Sequence, residues 1–106
     1  MEVCSRLQPS ECINMEDIRG EIDALDQAVI KLLGKRFQYV LAASKFKTST
    51  TSVRAPERFK AMLATRREWA EAEGLSPDAI EKMYSDLVNH FTAEEMKHWA
   101  AHPSRN

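Results

Sequence analysis

The chain has 106 residues, of which 43% are hydrophobic and 29% charged, and its formal net charge is -1 at pH 7. This length fits one globular domain, and the balanced charge excludes a general electrostatic attraction to nucleic acid or membranes. Cys4 and Cys12 are too few for a disulfide framework and lack the spacing of a zinc site. No segment resembles a membrane span or a secretory signal, so we expect a cytoplasmic protein.

The N-terminal part of the chain predicts a loose leader followed by one long helix. Residues 1–13 are polar and lack periodicity, whereas residues 14–47 predict a helix that Asn14 caps. Its apolar residues recur in steps of three, four and seven: Ile18, Ile22, Leu25, Val29, Leu32, Tyr39 and Ala43. A helix of roughly 45 to 50 Å is longer than a globule of this chain length is wide. We therefore expect a second chain to cover the stripe in an intertwined homodimer.

Two further helices follow. One begins near Ala55, has Pro56 in its first turn and ends at Gly74, and Ser76 caps the next. The inward face of the second helix is predicted to hold Phe59, Met62, Leu63, Trp69 and Ala70. The predicted fold class is all-α, with three helices (long, medium, long) in one domain over residues 14–102 and a tail over residues 103–106.

Cations of the long helix are candidates for an anion site. Arg36 continues the apolar series seven residues after Val29, so its guanidinium faces the core side and needs a partner. On a continuous helix, Lys47 would lie within about 20° of the same face, and both could bind one small anion. Arg19 is too distant to share that site within one chain and would come from the partner subunit. Alternatively, the arginines pair with acidic side chains, and Lys47 only complements the helix C-terminus.

One carboxylate of the third helix is expected to face inward. Glu95 lies seven residues after Val88 and four after Phe91, whereas its neighbour Glu94 is turned toward water. Glu95 is therefore either the counter-ion of a buried arginine or a hydrogen-bonding group in the same pocket.

Other kinds of site have weaker support. The chain has no glycine-rich phosphate loop and no nucleophile elbow. His90, Glu94 and His98 share a helical face, but we expect solvated surface there and no metal. The basic residues of the second helix alternate with glutamates, which favours a solvated face over nucleic-acid binding.

Several segments resemble the bacterial isochorismate pyruvate lyases of the type II chorismate mutase superfamily. They are DIRGEIDALDQAVIKLLGKRFQYVLAASKFK, APERFKAML, REWAEAEGL and AEEMKHW. The resemblance implies an all-α intertwined dimer that makes salicylate for siderophore synthesis. It also implies that Arg36 and Lys47 of one chain and Arg19 of the other hold the two substrate carboxylates. Arg58, in the PER motif, matches a pocket arginine of the family.

The family reaction is a pericyclic hydrogen transfer that converts isochorismate to salicylate and pyruvate without cofactor or metal. The resemblance gives Lys47 and Glu95 the catalytic positions. Ala55 matches the lyases, since mutases usually have aspartate there. Glu95 departs from the family, which usually has a glutamine that donates a hydrogen bond near the ether oxygen. An ionised Glu95 cannot donate, so we expect higher turnover below neutral pH and in a Glu95→Gln variant.

Two alternatives stay open. One is a chorismate mutase that makes prephenate, an activity that many such lyases retain weakly. The other is a catalytically silent helical dimer that serves as an interaction module.

Residues 48–54 are expected to form a lid beside Lys47, because of their composition and position.

Overall fold

The structure is a computed structural model that describes residues 6–49, 51 and 55–101. Over these residues it contains no strand and three α-helices, α1 (Met15–Ala43), α2 (Pro56–Ala72) and α3 (Pro77–Ala100). Short 3-10 helices, Pro9–Glu11 and Ser44–Phe46, precede and follow α1. The predicted all-α class and the order long, medium, long are confirmed. The predicted tail and the first five residues of the leader lie outside the described residues.

The chain divides into two compact units, Met1–Tyr39 and Val40–Asn106, and the boundary falls within α1. The first unit holds the leader and most of α1, and the second holds the end of α1 with α2 and α3. The single domain over residues 14–102 stays a prediction. Among the helices described, none is both long and apolar enough to cross a membrane.

The predicted caps fix the starts of two helices. The Asn14 side-chain oxygen accepts a hydrogen bond from the Asp17 backbone N–H at 2.8 Å. Ser76 Oγ accepts one from the Ala79 N–H at 3.1 Å. Each bond satisfies a backbone donor that a helix N-terminus leaves unpaired, which is worth about 1 kcal/mol. Gly74 separates α2 from α3 with a φ of 75°, a left-handed conformation that glycine adopts without steric cost.

The end of α1 differs from the prediction of a helix that continues to Lys47. The helix ends at Ala43, and Ser44 starts a 3-10 turn. Ser44 is 1% exposed, and its hydroxyl donates to the Leu41 carbonyl at 2.6 Å, which competes with regular helical bonding. Lys47 follows in an extended conformation (φ -91°, ψ 138°). The predicted placement of Lys47 on the same helical face as Arg36 is therefore wrong.

Helices α2 and α3 pack against each other. Met62 and Ala70 of α2 are each 3% exposed, as predicted for its inward face. The prediction that Trp69 also faces inward is wrong, because Trp69 is 56% exposed. The Arg66 guanidinium lies over its indole ring, 4.6 Å from the ring centroid. Arg67 links the two helices, since it bonds Asp78 and Glu81 of α3 at 2.8 and 3.0 Å.

The described part of the leader folds back onto α1. The Glu21 carboxylate accepts hydrogen bonds from the backbone N–H groups of Arg6 and Leu7 at 2.7 and 2.8 Å. These bonds lower the pKa of Glu21, since they stabilise its ionised form. The leader and α1 line an open apolar pocket of about 210 Å³ beside this contact.

Candidate active site

An ion pair between Lys47 and Glu95 is the centre of the site that the structure assembles. Lys47 Nζ donates to Glu95 Oε2 at 3.2 Å. The Glu95 side chain is 5% exposed and that of Lys47 is 24% exposed. A carboxylate buried to this extent needs a charged or hydrogen-bonding partner, and Lys47 supplies it. The prediction that Glu95 faces inward is confirmed, and its counter-ion is Lys47 instead of an arginine.

Helix α3 contacts Lys47 a second time through Trp99. The Trp99 indole Nε1–H donates to the backbone carbonyl of Lys47 at 3.0 Å. Glu95 and Trp99 are four residues apart, so they lie one above the other on the same face of α3. One helix face thus binds both the ammonium and the carbonyl of Lys47.

A third contact comes from the 3-10 turn itself. The Lys47 N–H donates to the Ser44 carbonyl at 3.1 Å. The N–H and C=O of Lys47 are therefore both hydrogen-bonded, although the residue lies outside any helix.

The predicted arginines lie on other parts of the chain. Arg19 and Arg36 belong to the part of α1 within Met1–Tyr39, where Arg19 is exposed and Arg36 is half-buried. Arg36 Nη1 is fully buried, and no atom of the described residues accepts a hydrogen bond from it. A buried guanidinium donor without an acceptor is unfavourable by about 1–3 kcal/mol, so Arg36 has the capacity to bind an anion.

The start of α2 carries Arg58 and Ala55. Arg58 is in the first turns of the helix and is exposed. Ala55 directly precedes the helix in a left-handed conformation (φ 41°, ψ 63°), which a non-glycine residue adopts with strain. Most of the predicted lid lies outside the described residues, namely positions 50 and 52–54.

The chemistry available at the Lys47–Glu95 pair is that of a cation beside a carboxylate. An ionised Glu95 accepts hydrogen bonds only, and it already uses one oxygen on Lys47. An incoming anion must therefore share the ammonium with Glu95. Among the residues that the structure describes, no group of three or more His, Cys, Asp or Glu side chains is placed to hold a metal ion.

Sequence reasoning missed the contact between Trp99 and the Lys47 carbonyl. The two residues are 52 positions apart, and nothing in the spacing of either segment links an indole to one particular backbone oxygen. The AEEMKHW segment contributes to the family resemblance as a whole, and the sequence defines no partner for its tryptophan.

Comparisons with known proteins place the chain in a family. The model of the chorismate mutase type II family matches residues 18–96. The isochorismate pyruvate lyase of Pseudomonas aeruginosa is 41% identical over 91 residues, which cover 86% of this chain and 90% of that protein. The T-protein of Haemophilus influenzae is 41% identical over 81 residues, 76% of this chain and 20% of that protein. The T-protein of Enterobacter agglomerans is 37% identical over 82 residues, which cover 76% of this chain and 22% of that protein.

Proposed function

The chain belongs to the chorismate mutase type II family, and we propose on this premise that it is an isochorismate pyruvate lyase, which converts isochorismate to salicylate and pyruvate. The observation that carries the proposal is the similarity to the Pseudomonas aeruginosa lyase over 90% of that enzyme's length. Ala55 supports the same assignment, because the lyases that this chain resembles have alanine at that position, whereas the mutases usually have aspartate.

Lys47 is the proposed catalytic cation. In the reaction a ring hydrogen moves to the methylene carbon of the enolpyruvyl group while the carbon–oxygen bond breaks, and negative charge develops on the ether oxygen. The Lys47 ammonium would stabilise this charge in a site where two hydrogen bonds already fix the backbone of the residue. The remaining rate enhancement comes from holding the substrate in a reactive conformation, which needs no nucleophile, cofactor or metal.

The arginines are proposed to hold the two substrate carboxylates. The buried Nη1 of Arg36 supports this role, since a carboxylate oxygen would satisfy it. Arg58 would contact the same substrate, and Arg19 would reach it from the partner subunit of a homodimer. Exposed apolar side chains on α1 support that homodimer, because a second chain would bury them.

Glu95 is proposed to donate a hydrogen bond to the substrate only in its neutral form. Its ionised form competes with the substrate for Lys47 and repels the substrate carboxylates, whereas the neutral form can donate to the ether oxygen.

We further propose a cytoplasmic location and use of the salicylate in siderophore synthesis.

The second candidate function is that of a chorismate mutase, which the family model and the T-protein matches favour. Prephenate formed from chorismate, faster than salicylate from isochorismate, would make this the main activity.

A pair of lysine variants tests the proposed site. Lys47→Ala should lower the rate of salicylate formation at least about a hundredfold, because it removes the cation aimed at the developing charge. Lys45→Ala is the matched control, since Lys45 lies in the 3-10 turn just before Lys47 but stacks over Phe46, 5.2 Å from its ring centroid. Equal rates in the two variants would show that the site is elsewhere.

A further inference from the structure

The backbone of Lys47 lies in an unusual position for a residue whose side chain must be aimed accurately. It follows a 3-10 turn in an extended conformation, directly before Thr48 and Ser49, which are outside any helix. A lysine side chain has four flexible carbons, so the position of its ammonium depends on how firmly its backbone is held. The Ser44 carbonyl binds the Lys47 N–H within the turn, but a turn contact alone does not attach the turn to α3.

Trp99 makes that attachment. Its indole N–H donates to the Lys47 carbonyl at 3.0 Å, and the indole is partly buried. Glu95, one helical turn earlier on the same face, bonds the Lys47 ammonium at 3.2 Å. When a substrate takes the ammonium from Glu95, the Trp99 bond still links Lys47 to α3. The backbone anchor is thus independent of the ion pair.

We infer that Trp99 is a positioning residue that fixes Lys47 for catalysis by holding its backbone carbonyl. The inference rests on the proposed function of Lys47 as the catalytic cation. Trp99 acts through Lys47 and is not itself assigned a contact with the substrate. Loss of the anchor displaces the ammonium from the ether oxygen, and a displacement of about 1 Å is enough to slow such a reaction strongly.

The first test replaces the indole by a ring that cannot donate. Trp99→Phe should lower kcat for salicylate formation about tenfold with a smaller change in KM, because the Lys47 interaction strengthens in the transition state. Trp69→Phe is the matched control, since Trp69 is the other of the two tryptophans and is 56% exposed. If the two variants keep the same kcat, the inference is wrong.

A double variant separates positioning from a general structural effect. In the Lys47→Ala background, with its residual rate measured at high enzyme concentration, Trp99→Phe should cause no further loss, because there is no ammonium left to position. A further tenfold loss in that background would overturn the inference.

A third measurement is made on the wild-type protein and needs a variant only to assign the signals. In the wild-type protein the indole N–H of Trp99 should exchange with solvent at least about tenfold more slowly than that of Trp69, because it is hydrogen-bonded. The Trp69→Phe spectrum assigns the two signals. Equal exchange rates would contradict the anchor. Absence of salicylate with the wild-type enzyme would instead contradict the proposed function, so the two failures are distinguishable.

Discussion

At the scale of single residues, the pairing of Lys47 with Glu95 links stability to the proposed activity. Removal of Lys47 leaves a carboxylate that is 5% exposed without its cation. Breaking a buried pair from one side is strongly destabilising, whereas a partner with access to water loses less. Lys47 is the more exposed member of this pair, so water can solvate its ammonium when Glu95 is removed. The buried Glu95 carboxylate has less access to water when Lys47 is removed.

Lys47→Ala should therefore lower the free energy of unfolding at pH 7 by about 2 kcal/mol or more, and Glu95→Gln should lower it by less. Urea denaturation followed by circular dichroism measures both values. Equal stability of Lys47→Ala and wild type would mean that the pair contributes nothing to the folded state.

The same pair predicts a gain of activity in Glu95→Gln. Glutamine keeps the shape of the side chain, releases the ammonium to the substrate and can donate a hydrogen bond. We expect about a tenfold higher rate of salicylate formation at pH 7.5, because the substrate no longer competes with a carboxylate for Lys47. Glu94→Gln is the control, since Glu94 bonds Lys97 at the surface. A slower Glu95→Gln enzyme at pH 7.5 would refute the proposed role of this carboxylate.

Helical periodicity is enough to predict that Glu95 faces inward, because one position on a regular helix fixes the next. It does not predict the partner of Glu95. Lys47 was expected on a continuous helix, and the hydrogen bond from Ser44 to Leu41 changes the backbone just before it. Whether a serine hydroxyl competes with the helical hydrogen bonds in this way depends on its burial in the tertiary structure. No periodic pattern in the sequence predicts that burial.

At the scale of elements, the leader and α1 are joined by a contact that depends on pH. Two backbone N–H groups stabilise the Glu21 carboxylate and lower its pKa below the unfolded value of about 4.3. Because the folded pKa is the lower one, the contact contributes its full stability above the unfolded pKa. It loses that stability as pH falls through the folded pKa.

We therefore expect the Arg6 and Leu7 amides to be protected from hydrogen exchange near neutral pH and to lose protection as the pH falls through the lowered pKa of Glu21. Glu21→Gln should weaken the protection at neutral pH, since an amide oxygen is a weaker acceptor than a carboxylate. Glu16→Gln, an exposed first-turn residue of α1, should have no effect. Equal protection of the two amides in Glu21→Gln and wild type at neutral pH would contradict the assigned contact.

At the scale of the whole molecule, the exposed apolar residues of α1 need another protein surface to bury them. Ile22, Val29, Leu32 and Tyr39 are between 44% and 69% exposed, and their spacing of seven, three and seven places them on one stripe. Burial of the remaining surface would contribute roughly 1 kcal/mol for each side chain. The stripe was predictable from the sequence because it is periodic.

The proposed homodimer predicts that two inactive variants complement each other. If Arg19 of one chain and Lys47 of the other form one site, then an Arg19→Ala chain paired with a Lys47→Ala chain contains one intact site. Co-refolding equal amounts should restore about a quarter of the wild-type rate, since half of the dimers are mixed and half of their sites are intact. No recovery, with mixed dimers verified by mass spectrometry, would place Arg19 in the same chain as Lys47 or outside the site.

The most direct test of the central proposal is product identity with the wild-type protein. Salicylate fluorescence is followed after the enzyme is mixed with isochorismate at pH 7.5 and 5.5, and prephenate formation from chorismate is measured in parallel. We predict salicylate at a rate well above the enzyme-free control, faster than prephenate, with an increase at pH 5.5. Prephenate as the main product would identify a mutase despite Ala55, and neither product at either pH would contradict the proposed enzymatic function.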